Sequence, residues 1–149
     1  MPSLEDRLAS VLGDVVRIEQ EPDGGLTVHH GGTFASLRVV NIVEDLDLVS
    51  LTQIVAWDLP LTKKISDQVA AHARDTNFGA VTLVEKVADT AAQRNSGEGA
   101  AKTASKTASK TGDVMLRYNF PGAGLTDDAL RTLILLVLDS GARIRETLT

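Results

Sequence analysis

The chain has 149 residues, with 15 Lys and Arg against 20 Asp and Glu, and it has no cysteine. That length suits one domain whose core can dispense with metals and disulfides, and the missing cysteines exclude disulfides, thiolate nucleophiles and thiolate metal sites together. A net charge of −5 repels phosphate backbones and argues against nucleic acid as a main partner.

Aromatic residues make up only 3% of the chain, so the core must be built from Leu, Val, Ile and Ala. Ser3 is placed to cap a first helix, with Asp6 three residues on as a weak capping box. Leu4, Leu8, Val11 and Leu12 form its apolar face, and Gly13 ends it. Val15–Gln20 and Leu26–His30 then flank Pro22-Asp23-Gly24-Gly25, a hairpin signal. Gly31-Gly32 turns the chain into a third strand, Thr33–Val43. Glu44-Asp45 makes the next turn, and Leu46–Trp57 is the fourth strand. In that strand Val49, Leu51, Gln53 and Val55 alternate with Leu48, Ser50, Thr52, Ile54 and Ala56, a pattern expected of a sheet covered on both faces.

Asp58-Leu59-Pro60 is expected to leave the sheet, because proline donates no ladder hydrogen bond. Thr62 caps a second helix in which Ile65, Val69 and Ala73 share a face, and Asn77 or Gly79 stops it. Ala80–Val87 is the fifth strand. Ala88–Gly112, with its Lys-Thr-Ala-Ser repeat, reads as a flexible low-complexity loop within one domain spanning residues 1–149. Residues 95–112 hold Lys102, Lys106 and Lys110 against Glu98, a net of +2, so the rest of the chain is the more acidic part.

The sixth strand is Asp113–Phe120, broken by Pro121-Gly122-Ala123-Gly124. Thr126 caps the last helix, and Asp127 and Asp128 suit its positive end. Leu130, Leu133, Ile134, Val137 and Leu138 recur at helical spacing, while Leu135 and Leu136 widen the stripe. A helix apolar over most of its surface is expected to pack on a sheet and to meet a second surface as well. The order is α-β-β-β-β-α-β-β-α, an α+β fold with an antiparallel sheet and packed helices. Met1-Pro2-Ser3-Leu4-Glu5-Asp6 has no apolar signal core. The longest apolar run, Leu133–Leu138, is far short of a membrane span, so a cytoplasmic protein without membrane association is expected.

Chemistry-bearing patterns are weak. His29 and His30 are neighbours on a strand and point to opposite faces. His72 has only Asp75 near it as a partial ligand set. Glu44, Asp45 and Asp47 lie in a turn, and Asp127 and Asp128 in a helix first turn, positions that account for acids without acid–base work. No Gly-x-Ser-x-Gly elbow and no phosphate-cradling glycine motif occurs. These features predict no catalytic residues, no metal and no cofactor. Trp57, the only tryptophan, is either a lid on the core or a partner anchor. Tyr118, on a strand face with Leu116 and Phe120, has the same two readings.

Val114-Met115-Leu116-Arg117-Tyr118-Asn119-Phe120-Pro121, followed by Gly124-Leu125-Thr126-Asp127-Asp128-Ala129-Leu130, resembles the YbjN-like proteins of the type III secretion chaperone-like superfamily. Val49-Ser50-Leu51-Thr52 and Ala56-Trp57-Asp58 extend the likeness. The resemblance implies a twisted antiparallel sheet with helices against it, a homodimer, binding of peptides or unfolded segments of other proteins, and no enzymatic activity. Four strands before the middle helix, and the Lys-Thr-Ala-Ser insertion, depart from that pattern. The resulting expectation is a chaperone-like or regulatory binding protein that dimerises through its last helix at Leu133, Leu136 and Val137. Trp57 and Tyr118 are the candidate contacts to a protein or peptide partner. The alternative is a small-ligand sensor or weak enzyme with a pocket between sheet and helix.

Overall fold

A computed structural model describes residues 3–86 and 110–149. Six strands form one antiparallel sheet: β1 (Arg17–Gln20), β2 (Leu26–His30), β3 (Thr33–Val43), β4 (Leu46–Pro60), β5 (Ala80–Lys86) and β6 (Thr111–Pro121). Their spatial order is β1-β2-β3-β4-β6-β5. The helices are α1 (Leu4–Leu12), α2 (Lys63–Asp75) and α3 (Asp127–Leu148). The fold is therefore α+β in the expected element order.

Each helix begins where its cap was expected. Ser3, Thr62 and Thr126 accept hydrogen bonds from the backbone N–H groups of Asp6, Ile65 and Ala129, satisfying donors that the helix itself leaves orphaned. Thr76 ends α2 with backbone and hydroxyl bonds to His72 O. α3 continues for 22 residues to Leu148 and lays Leu130, Ile134, Val137, Leu138, Ile144 and Leu148 into the core.

The helices cover one face of the sheet. Leu26, Val28, Ala35, Leu37, Val49, Leu51, Val55, Leu116 and Phe120 are buried there, each Val, Leu or Phe side chain contributing about 1.5–3 kcal/mol by leaving water. Phe34, Ile54 and Met115, side by side in the strand register, are half-buried or exposed on the other face. The expectation of a sheet covered on both faces is thus corrected among the described residues. Leu48 and Ile54 reflect half-burial on the open side of a strand.

A second correction concerns Asp58-Leu59-Pro60. β4 kinks there but stays in the sheet, pairing Leu59 with Gly112 and Pro60 with Thr111. Asp58 takes a φ of 56°, and the kink is pinned by its N–H donating to Asp113 Oδ1 at 3.1 Å. Lys86 bridges Asp58 and Asp113 at 2.6 and 3.0 Å, and these two carboxylates raise its pKa above the usual range. Proline is tolerated at this strand end, beyond a bulge. Thr111 and Gly112, assigned to the loop from sequence, are consequently strand residues. Apart from Lys110, the remainder of that loop reading, residues 88–109, lies outside the described residues, as does Val87 at the end of the expected fifth strand.

Candidate functional site

α2 and α3 cross near their C-terminal halves and leave a cleft of about 320 Å³. Its position follows from the two apolar stripes. Ile65 and Val69 hold α2 to the core, while Ile144 and Leu148 hold the end of α3. The cleft is lined by Leu136 and Phe78, with Ile144 among the buried lining, and by the polar groups His72, Asp75 and Arg143. Leu136 and Phe78 are 41% and 39% exposed. Both are large apolar side chains left at the surface, and their shared cleft makes that exposure informative.

The polar groups divide into bonded and available ones. His72 Nε2 is hydrogen-bonded to Thr147 Oγ1 at 2.7 Å, and Thr76 Oγ1 donates to His72 O at 2.6 Å. The first bond ties the C-terminal turn of α2 to the last turn of α3, and the second closes the end of α2 itself. Arg143 is exposed and has no ion-pair partner among the described residues. The cleft thus offers a guanidinium suited to a carboxylate, with the exposed Asp75 carboxylate also in its lining, beside apolar side chains.

The candidates from sequence do not converge on one surface. Leu136 lies in the cleft, and Leu133 is half-buried against the core. Val137 is 0% exposed, which corrects its assignment to a dimer surface. Its position in the helical period, with Leu130, Ile134 and Leu138, turns it onto the sheet and leaves nothing of it for a second surface. Tyr118 stacks on Phe120 at 5.3 Å and meets Phe78 edge-on at 6.3 Å. It therefore supports the cleft rim from the sheet.

Trp57 stands apart, 41% exposed. Its ring is 5.7 Å from Phe34 and 4.6 Å below the Arg145 guanidinium. Arg145 Nη1 also donates to Val55 O at 3.0 Å, a carbonyl beyond the end of the β3–β4 pairing. Arg145 is thus a structural clasp rather than a solvated helix-end charge. Arg131 is similarly engaged, donating to Val11 O and Asp128.

The histidine pair divides as expected. His29 bonds Glu19 at 2.9 Å and His30 bonds Asp139 at 2.6 Å. The His29 contact lowers the Glu19 pKa, chiefly by hydrogen bonding. Among the described residues, no three His, Cys, Asp or Glu side chains gather into a metal-binding group, and no helix is long and apolar enough to cross a membrane.

Phe78 and Arg143 were not singled out together from sequence, since they lie on different elements and meet only through the α2–α3 crossing. Comparison with protein-family models, curated proteins and solved structures finds no significant match to this chain.

Proposed function

We propose that the chain is a non-enzymatic, cytoplasmic, chaperone-like protein that binds peptide segments of other proteins in the α2–α3 cleft. The observation that carries this is the pairing of exposed Leu136 and Phe78 with the Arg143 guanidinium around one cleft. Such a surface recognises a segment presenting an apolar side chain next to a carboxylate, the first by burial and the second by a charge-assisted hydrogen bond. Binding is favoured over chemistry because Thr147 Oγ1 gives its proton to Ile144 O at 2.8 Å, so it faces His72 Nε2 as an acceptor and not as a hydroxyl poised for deprotonation.

The antiparallel sheet with helices packed on one face is what supports placing the chain with the YbjN-like proteins of the type III secretion chaperone-like superfamily, while the four strands before α2 depart from that pattern. The homodimer implied by that resemblance belongs to the same reading.

A peptide-display selection against the full chain tests the proposal. Enriched sequences should pair Leu, Ile or Phe with a nearby Asp or Glu, and binding should fall on Leu136→Asp and Arg143→Glu. Sequence-indifferent selection, or binding untouched by both substitutions, would contradict it. The cleft volume also lies at the small end of ligand pockets, about 300–1,000 Å³. A small carboxylic acid is therefore the second reading. A thermal-shift series with such acids and no peptide separates the two, because a bound ligand raises apparent stability.

A further inference from the structure

β3 and β4 form an arm that outruns the rest of the sheet. β2 stops pairing at Leu37, opposite Leu26. On the other side β6 stops at Pro121, opposite Leu48. From Arg38 onward the outer edge of β3 has no strand neighbour among the described residues. Val40, Ile42, Val43 and Leu46 are 41%, 51%, 58% and 37% exposed along this arm. A rigid apolar edge of this kind is a ready template for another strand. Its rigidity comes from Asn41, whose Nδ2 donates to Val43 O at 3.0 Å and to Asp47 Oδ1 at 2.9 Å across the hairpin.

The charges say which strand fits. The base of the free edge carries Arg38, and the tip carries Glu44, Asp45 and Asp47. In an antiparallel pairing about a two-fold axis near Asn41, the base of one arm meets the tip of the other. β3 ends at Val43 after a bulge between Asn41 and Val43, so this pairing sets Arg38 of each copy against the turn that carries Glu44 of the second, with Val40 near Ile42. A segment basic at one end, acidic at the other and apolar between is self-complementary in that arrangement alone. A parallel pairing would set acid against acid. Arg38 already bonds Asp23 in its own chain, and in the pair it would bridge Asp23 and the incoming Glu44.

We infer that two copies of this chain pair through the outer edges of their β3 arms, joining two six-stranded sheets. This rests on the homodimer reading above and replaces the helix-centred surface at Leu133, Leu136 and Val137 with an edge-to-edge one.

Sedimentation of the full chain and of three variants, each checked for native circular dichroism, tests the pairing. Wild type should be dimeric. Arg38→Glu, Glu44→Lys and Ile42→Lys should each weaken association by about tenfold or more. An equimolar mixture of Arg38→Glu and Glu44→Lys should regain a one-to-one dimer, because each charge then meets its opposite. Ile42→Lys lies on an exposed side chain and serves as the control that does not touch Asp23. A monomeric wild type would overturn both the pairing and the homodimer reading. A wild-type dimer that survives Ile42→Lys, or variants that do not recombine in the mixture, would overturn the arm pairing alone.

Discussion

The side-chain amide of Gln53 lies directly against the backbone of Gly141. A β-carbon on residue 141 would stand 2.1 Å from Gln53 Oε1 and 2.5 Å from its Nε2. Gln53 is fully buried, and its Nε2 donates to Thr33 Oγ1 at 2.8 Å and to Leu138 O at 3.1 Å. The amide orientation is dictated by chemistry, because Thr33 Oγ1 donates its own proton to His30 O and so faces Gln53 as an acceptor. Oε1 has no hydrogen-bond partner among the described residues, and its space is what the missing side chain of Gly141 provides. One polar side chain thus pins α3 to the middle of the sheet.

Gly141→Ala is predicted to destabilise the fold by about 1–3 kcal/mol, the usual cost of overpacking, even though alanine is the better helix former. The cost should shrink when Gln53 is also shortened to Ala, giving a coupling of about 1 kcal/mol or more in a double-mutant cycle. Urea unfolding of the four proteins measures it. Additive effects would show that the two residues are not in contact.

Leu136 and Val137 are sequence neighbours with opposite fates, and substitution should separate them. Val137→Asp buries an unpaired charge in the core and is expected to cost more than about 4 kcal/mol. Leu136→Asp changes an exposed position and should stay within about 0.5 kcal/mol of wild type. Thermal unfolding decides this, and equal losses would place both on one surface.

That pair also shows what the sequence could and could not convey. Caps, turns and strand alternation depend on near neighbours, so Ser3, Thr62, Thr126 and the Pro22–Gly25 hairpin were legible directly. The helical spacing puts Val137 on the stripe with Ile134 and Leu138, but which stripe residues stay free for a partner depends on contacts far along the chain, so its assignment to a dimer surface failed. Gln53 did leave a signal, a lone amide in phase with Val49, Leu51 and Val55, but its meaning needed Gly141 from a helix 88 positions later. The continuation of β4 to Pro60 was hidden for the same reason, because its support comes from Lys86 and Asp113. The cleft was the least legible feature, being assembled from α2, α3 and the residues that follow α2.

Asp23 should give the fold a small acid-sensitive component. The Gly25 N–H, and then Arg38, hold its carboxyl below the usual 3.8. A lowered folded-state pKa contributes stability that is present above the unfolded value and lost as pH falls through the folded one. Asp23→Asn keeps an oxygen for the Gly25 bond but removes the charge. The melting temperatures of wild type and variant should differ at neutral pH and converge as pH drops below about 3.8. A difference that persists in acid would mean that Arg38 and ionisation are not involved.

Trp57 offers an optical readout of the Arg145 clasp. Arg145→Ala removes the cation over the ring and the donor to Val55 O. The loss should be about 1–2 kcal/mol, from an exposed cation–π contact and one hydrogen bond. Because Trp57 is the only tryptophan, intrinsic fluorescence reports the site alone. The folded variant should show a shifted emission, and an unchanged spectrum would contradict the contact.

Nuclear magnetic resonance mapping tests the proposed binding site most directly. The isotope-labelled full chain would be titrated with a display-selected peptide carrying an apolar residue next to a glutamate. The account predicts that the largest shift changes fall on Leu136, Phe78, Arg143 and their immediate neighbours, with the Gln53–Gly141 region unmoved. Changes centred on the open sheet face around Phe34 and Ile54, or none on the α2–α3 cleft at saturating peptide, would contradict it.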